Sequence, residues 1–250
     1  MRYTIVVPAW NEAAFLGASL ARIREAMAGV SGHEGELVVV DNNSSDATPD
    51  IARAAGATVV FEPVNQIARA RNAGARVATG DALVFVDADS WPPVALLQAA
   101  LDRLAGGRVV GGGSTIAPDR PVTGGARRGL DFWNRLGSAF KLAAGCFVYC
   151  LRDAFEAVGG FSDKVYAGEE IFLSRALKRW GRQNGRLDFD IIDTAPIVTS
   201  VRKLDWYSPA QLARQTALVL IPGALYSKTL CRTWYDTDGR RDGGENDAGA

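Results

Sequence analysis

The run Ala82-Leu83-Val84-Phe85-Val86-Asp87-Ala88-Asp89 carries five apolar residues straight into two carboxylates spaced one residue apart. Such a run suits a buried strand, and in α/β proteins ligands collect beyond the carboxyl ends of the strands. Two anionic oxygen donors at that edge suit hard divalent cations such as Mg2+ or Mn2+, which are often held by one or two carboxylates plus substrate phosphates. The residues therefore point to a metal and diphosphate site. Asp-x-Asp recurs at Asp188 and Asp190 and at Asp236 and Asp238. The second copy alternates like a half-buried strand and the third opens a Gly-rich polar tail, so only the first closes an apolar strand.

The elements that must position this pair follow from hydrophobic spacing. Tyr3 to Val7 reads as a first strand that Pro8 ends, and Leu16, Leu20, Ile23 and Met27 then mark one face of a helix. Leu37 to Val40 is a second strand ending at Asp41. Thr48 as N-cap and Pro49 at the first helical position open a short helix toward Ala55. Ala57 to Phe61 is a third strand, and Ile67 to Ala78 a helix closed by Gly80. Strand four is the run above, and Pro92-Pro93 begins a helix with Leu97, Leu101 and Leu104 on its buried side. This alternation predicts an α/β fold with a mostly parallel central sheet flanked by helices.

After Gly106 the rhythm changes. Val109 to Ile116 and Gly145 to Leu151 read as strands, separated by a Gly- and Arg-containing stretch and an amphipathic segment from Leu130 to Leu142. Glu170 to Trp180 reads as a helix whose first turn carries Glu169 and Glu170, where the positive end of the dipole favours carboxylates. One domain over residues 1–235 is expected, with a donor half (1–106) and an acceptor half (107–235). The polar tail 236–250 reads as disordered.

Composition narrows the function classes. Lys plus Arg equals Asp plus Glu at 28 each, so no global positive field argues for a nucleic-acid partner. A hydrophobic content of 48% is enough for a substantial core. Cys146, Cys150 and Cys231 lack metal-type pairing and fit a reducing, cytoplasmic setting. The amino terminus enters a strand directly with no signal-peptide pattern. Thr216 to Tyr226 is too short to span a bilayer and is broken by Pro222 and Gly223. It reads as a packed helix, with peripheral contact at the inner membrane face as the other reading.

Six elements in order carry a family resemblance. They are Pro8-Ala9-Trp10-Asn11-Glu12, Val38 through Thr48, Ala70-Arg71-Asn72-Ala73-Gly74, Asp87-Ala88-Asp89, Gly159-Gly160-Phe161 and Gly168-Glu169-Glu170. Over residues 3 to 180 the chain resembles a family 2 glycosyltransferase of the GT-A fold, a single Rossmann-like nucleotide-diphospho-sugar transferase domain. The resemblance implies that Pro8, Ala9, Trp10 and Glu12 hold the nucleotide and that Asp41 accepts from the base edge. It places Arg71 near the diphosphate and Asp87-Ala88 against ribose or sugar. Asp89, with Asp87, would hold Mn2+ or Mg2+, and Glu170, with Glu169 beside it, would be the catalytic base.

The implied reaction is metal-dependent, inverting transfer of one sugar from a nucleoside-diphosphate sugar, with UDP preferred over GDP, to an acceptor hydroxyl. The acceptor is open between a lipid-linked and a small molecule, and its site is expected from Thr123 to Cys150 and Trp206 to Trp234. The processive signature Gln-x-x-Arg-Trp is absent, since Arg179-Trp180 lacks the Gln. The family's base is most often Asp preceded by Glu, so two glutamates leave open which one takes the proton. Read as residues alone, Arg71 could be a solvated helix charge, Glu169 and Glu170 a dipole complement, and Asp41 to Thr48 turn chemistry. A non-catalytic nucleotide-sugar-binding protein stays open, as does a sugar-phosphate nucleotidyltransferase. His33, in a Gly-rich loop, reads as a surface residue.

Overall fold

The computed structural model describes residues 1–185, 187–202, 205, 224–227 and 229–231. In chain order the elements are β1 (Arg2–Ala9), α1 (Ala13–Gly29), β2 (Glu34–Asp41), α2 (Thr48–Ala54), β3 (Thr58–Phe61), α3 (Ile67–Val77), β4 (Ala82–Val86), β5 (Ser90–Trp91) and α4 (Val94–Ala105). They continue with β6 (Val109–Pro118), α5 (Gly124–Phe140), β7 (Phe147–Leu151), α6 (Arg152–Ala157), α7 (Glu169–Gln183) and β8 (Asp188–Thr199). The strands form one sheet in the order β3-β2-β1-β4-β7-β6-β8-β5. The β3-β2-β1-β4 half is wholly parallel, which requires the helical crossovers that the alternating pattern predicted. The β7 strand enters antiparallel between β4 and β6. That reversal brings the carboxyl end of β4 beside the amino end of β7, with Val86 paired to Phe147.

Each sheet face is covered by its own core. On one side Leu16, Leu20 and Ile23 of α1 and Leu97, Leu101 and Leu104 of α4 pack on Ile5, Val7, Val84 and Val86. On the other, the alanines of α3, Phe155 and Phe161, and Leu173 and Leu177 of α7 pack on Val6, Leu83, Phe85 and Val148. The central strand β4 is buried at every residue, as a strand covered on both faces must be.

Several boundaries differ from the sequence reading. The first strand does not stop at Pro8. It pairs in register through Pro8 and Ala9, opposite Val40 and Asp41, because one missing N–H at a strand end costs the ladder little. Thr48 is not an N-cap but the first helical residue, fully buried, its hydroxyl turned to another loop. Gly80 lies beyond the end of α3, where a Cβ would stand 2.5 Å from the Tyr3 carbonyl carbon, so close strand approach rather than helix capping requires it. The Gly- and Arg-containing stretch before Leu130 is the beginning of α5.

His33 is also less superficial than its loop suggested. Its side chain is 6% exposed and bonds Asp102 at 2.9 Å, on the rim where β1 and β2 begin, opposite the site described below. All three cysteines are free. Residues 206–223 and 232–250, which hold most of the Thr216–Tyr226 segment and the tail, lie outside the described residues. No described helix is long and apolar enough to cross a membrane.

The β6, β7 and β8 layer is held close by Gly112, where a Cβ would lie 1.9 Å from the Asp190 carbonyl oxygen and 2.5 Å from the Tyr149 hydroxyl. Gly112→Ala should therefore force strand displacement and lower stability by roughly 3 kcal/mol or more, read as a lower urea midpoint, since overpacking against backbone has little room to relax.

Candidate active site

At the carboxyl ends of the central strands lies a cavity of about 390 Å3 lined by Arg71, Asp87, Asp89, Glu169 and Glu170, with Trp133, Cys146 and Tyr166 among its walls. The five charged residues come from three separate elements. Asp87 and Asp89 follow β4, Arg71 projects from the second turn of α3, and Glu169 and Glu170 open α7. Gly168 holds φ +70° immediately before α7, a left-handed conformation that suits glycine and turns the chain sharply into the helix. The first turn of α7 thereby presents both carboxylates where the helix dipole favours negative charge.

Arg71 is the centre of this arrangement. Its side chain is 1% exposed, so it is no solvated helix charge. It donates Nη1–H to Glu169 Oε1, and Nη2–H to Asp87 Oδ1 and to the Gly145 carbonyl, both at 2.8 Å. Burial by itself lowers a guanidinium pKa, but Asp87, Glu169 and Glu170 outweigh it and push that of Arg71 upward. One arginine thus ties the end of β4 to the start of α7 and to the turn before β7. Gly145 leaves space for this, since a Cβ there would stand 3.3 Å from Arg71 Nη2 and 3.6 Å from the Glu170 carboxyl carbon.

The two glutamates are separated by this pairing. Glu169 is buried and bonded to Arg71. Glu170 lines the cavity with its carboxyl near Gly145. Burial first, and then the Glu169 carboxylate, push the pKa of Glu170 up to about 8, with Arg71 opposing. A carboxyl with that affinity is a proton acceptor poised near neutrality, as acid–base catalysis requires. Cys146 is different: burial, reinforced by Asp87 and Asp89, pushes its thiol upward and keeps it protonated, so it is no nucleophile.

The nucleotide-side candidates stand at the neighbouring strand tips. Ala9 and Asp41 lie side by side at the ends of β1 and β2, and Asp41 Oδ1 accepts from the Ser44 amide at 2.9 Å. The loops after the two strands are stitched together. Asn11, at φ 50°, donates its amide to Ser44 Oγ and accepts from the Ser45 amide, and the Glu12 amide donates to Thr48 Oγ1 at 2.8 Å. The Asp41-to-Thr48 residues thus do more than turn: they fix the loop that carries Trp10 and Glu12. Pro8, Ala9, Trp10, Glu12, Asp41 and Ala88 do not line the cavity itself, although buried Ala88 spaces the two aspartates that do.

One residue links these two regions and was missed from sequence. Arg202, after β8, donates Nη2–H to Glu12 Oε1 at 2.7 Å and to Asp89 Oδ2 at 3.2 Å. Its partners lie 190 and 113 residues away, and no local pattern marks it. Thr199, Ser200 and Tyr166, also on the cavity wall, carried no signal either.

The donor set suits a hard divalent ion. Asp87 and Asp89 offer carboxylate oxygens, and a guanidinium already sits on Asp89, so the site demands positive charge there. Among the described residues no three His, Cys, Asp or Glu side chains form a ready ligand cluster. Two carboxylates completed by substrate phosphate and water are the usual arrangement for Mg2+-like ions.

Comparison with known proteins gives the family and the fold. The profile of glycosyl transferase family 2 matches residues 4–158, and the chain belongs to that family. Dolichol-phosphate mannosyltransferase of Pyrococcus furiosus is 28% identical over 170 residues, 64% of this chain and 45% of its own length. Glycosyltransferase AglE of Haloferax volcanii is 25% identical over 183 residues, 69% of this chain and 60% of its own. The chain thus spans about half the length of these relatives. A Pyrobaculum calidifontis mannosyltransferase, solved with GDP-Man and Mn2+, superposes with TM-score 0.66 at 26% identity, over 87% of this chain and 61% of the other. Glucosyl-3-phosphoglycerate synthase of Mycobacterium tuberculosis shares the fold, with TM-score 0.60 at 24% identity over 92% of this chain and 78% of the other. The fold is GT-A.

Replacing Arg71 by Met strands Asp87 and Glu169 without their cation, which should cost about 3–5 kcal/mol. The orphaned carboxylates then hold protons in the folded state more tightly than in the unfolded, so the loss should shrink as pH falls. Urea unfolding of the variant and wild type at about pH 8 and about pH 5 reads both effects.

Proposed function

We propose that this chain transfers a single sugar from a nucleoside-diphosphate sugar to an acceptor hydroxyl with inversion, Glu170 acting as base and Asp89, with Asp87, holding a divalent ion. The observation that carries the assignment is the division between the two glutamates: Glu169 is committed to Arg71, while Glu170 faces the cavity with raised proton affinity. Pro8, Ala9, Trp10 and Glu12 form the nucleotide cradle, Asp41 takes the base edge through its remaining acceptor capacity, and Ala88 sets the spacing of the aspartates.

In the reaction the acceptor oxygen forms a bond to the anomeric carbon as the bond to the diphosphate oxygen breaks, and that electron pair leaves with the nucleoside diphosphate. Glu170 receives the acceptor proton. Attack opposite the leaving group inverts the anomeric centre. Asp89, with Asp87, would hold a divalent ion, which would neutralise the charge that develops on the leaving group. Arg71 holds Asp87 and Glu169 in place, so donor site and base keep a fixed separation. The mannosyl relatives make GDP-mannose the first donor to assay, with UDP-sugars second.

Glu170→Gln should leave donor affinity unchanged, measured by calorimetry with Mn2+, while turnover falls by about 10²- to 10⁴-fold. Turnover matching wild type would remove Glu170 from the role. Because the base must be deprotonated and its pKa is raised to about 8, wild-type turnover should climb with pH and level off near that value. A profile already flat from about pH 6 would contradict it. Asp89→Ala should abolish Mn2+-dependent nucleotide binding, and NMR of the product should show the opposite anomeric configuration from the donor.

A further inference from the structure

The cation on Asp89 in the structure is Arg202. Its Nη2 bridges Asp89 Oδ2 and Glu12 Oε1, so one nitrogen spans from the end of β4 to the loop after β1. The three side chains are only 10–14% exposed, which removes much of the solvent screening that makes surface pairs weak. The guanidinium also lies over the Phe15 ring, 4.4 Å from its centroid. Its backbone is tethered independently. The Ser200 amide donates to the Asp89 carbonyl at 2.9 Å, Val201 N–H to Asp119 Oδ1 at 3.0 Å, and Arg202 N–H to Ser200 Oγ at 3.3 Å.

A guanidinium on Asp89 and a divalent ion on the same carboxylate are alternatives. The oxygen that Arg202 engages carries negative charge that the ion needs, and two positive centres at one carboxylate repel. Glu12, on the other side of the bridge, belongs to the loop assigned to the nucleotide. Arg202 therefore straps the mouth of the donor cleft as well as occupying a metal ligand.

We propose that Arg202 is a competing internal cation: it holds Asp89 and Glu12 together until a divalent ion displaces it, and it weakens capture of the ion alone. The displaced guanidinium leaves the cleft mouth, coupling entry of the ion to opening of the strap. This rests on the reading of Asp89 as a metal ligand given above.

The test is calorimetric titration of Mn2+ into the protein without nucleotide. Arg202→Ala should bind Mn2+ about tenfold more tightly than wild type, ~1.4 kcal/mol. Arg202→Lys, which keeps the charge, should stay nearer wild type, and Mn2+ should raise the melting temperature of Arg202→Ala more than that of wild type. Equal, weaker or absent Mn2+ binding in Arg202→Ala overturns the proposal. Asp89→Ala separates the two readings. If it retains the wild-type Mn2+ affinity, the metal assignment has failed. If it loses binding while Arg202→Ala matches wild type, the competition alone has failed.

Discussion

The site depends on one buried guanidinium. Arg71 sits in a place where burial alone would discourage its charge, and three carboxylates hold that charge in place. The converse holds too: Asp87 and Glu169 keep their geometry because the guanidinium, through rigid, coplanar donors, fixes both along with the Gly145 carbonyl. A lysine at this position would bring one point charge and three rotatable donors, without the fork that spans α7, β4 and the turn before β7. The interaction is costly when half removed, since Glu169 left alone is a buried, unpaired charge.

The antiparallel entry of β7 is what makes that cluster possible. In a purely parallel sheet the turn before the next strand would lie at the opposite rim, far from the end of β4. Here Val86 stands opposite Phe147, so the turn ending at Cys146 comes down beside Asp87. Gly145 completes the fit, because a larger residue would press on Arg71. The change in rhythm after Gly106 is this switch from crossover strands to a strand that supplies the floor of the cleft.

Much of this was readable from the chain because the signals were local. Periodicity marked β1 to β4 and the helices between them, and an apolar strand ending in Asp87-Ala88-Asp89 marked the cleft edge. What escaped was set by tertiary contact. Thr48 resembles a cap in sequence, yet its hydroxyl serves the Glu12 amide 36 residues away. Pro8 resembles a strand terminator, yet the strand passes through it. The Gly- and Arg-containing stretch before Leu130 has weak helix propensity, yet it forms the first turns of α5, where Arg127 pairs with Asp131 one turn on. Arg202 has no neighbours in sequence that predict its partners, and nothing local marks Glu169 rather than Glu170 as the partner of Arg71.

Burial and a neighbouring carboxylate explain why the second glutamate holds a proton. Glu12, Asp87, Asp89, Glu169 and Glu170 gather around Arg71 and Arg202. With Glu170 protonated, four carboxylates among these groups face two guanidiniums. Ionising Glu170 would put a further charge into a buried place beside Glu169, and burial first, then that neighbour, holds its proton up to about pH 8. The proton affinity that suits a base is therefore a consequence of burying one carboxyl among others at this cleft. Such crowding destabilises the folded chain as pH rises from the ordinary carboxylate range through 8, because folding then takes up protons that the unfolded chain has released. The stability lost at the cleft buys a carboxyl whose proton leaves and returns near neutral pH.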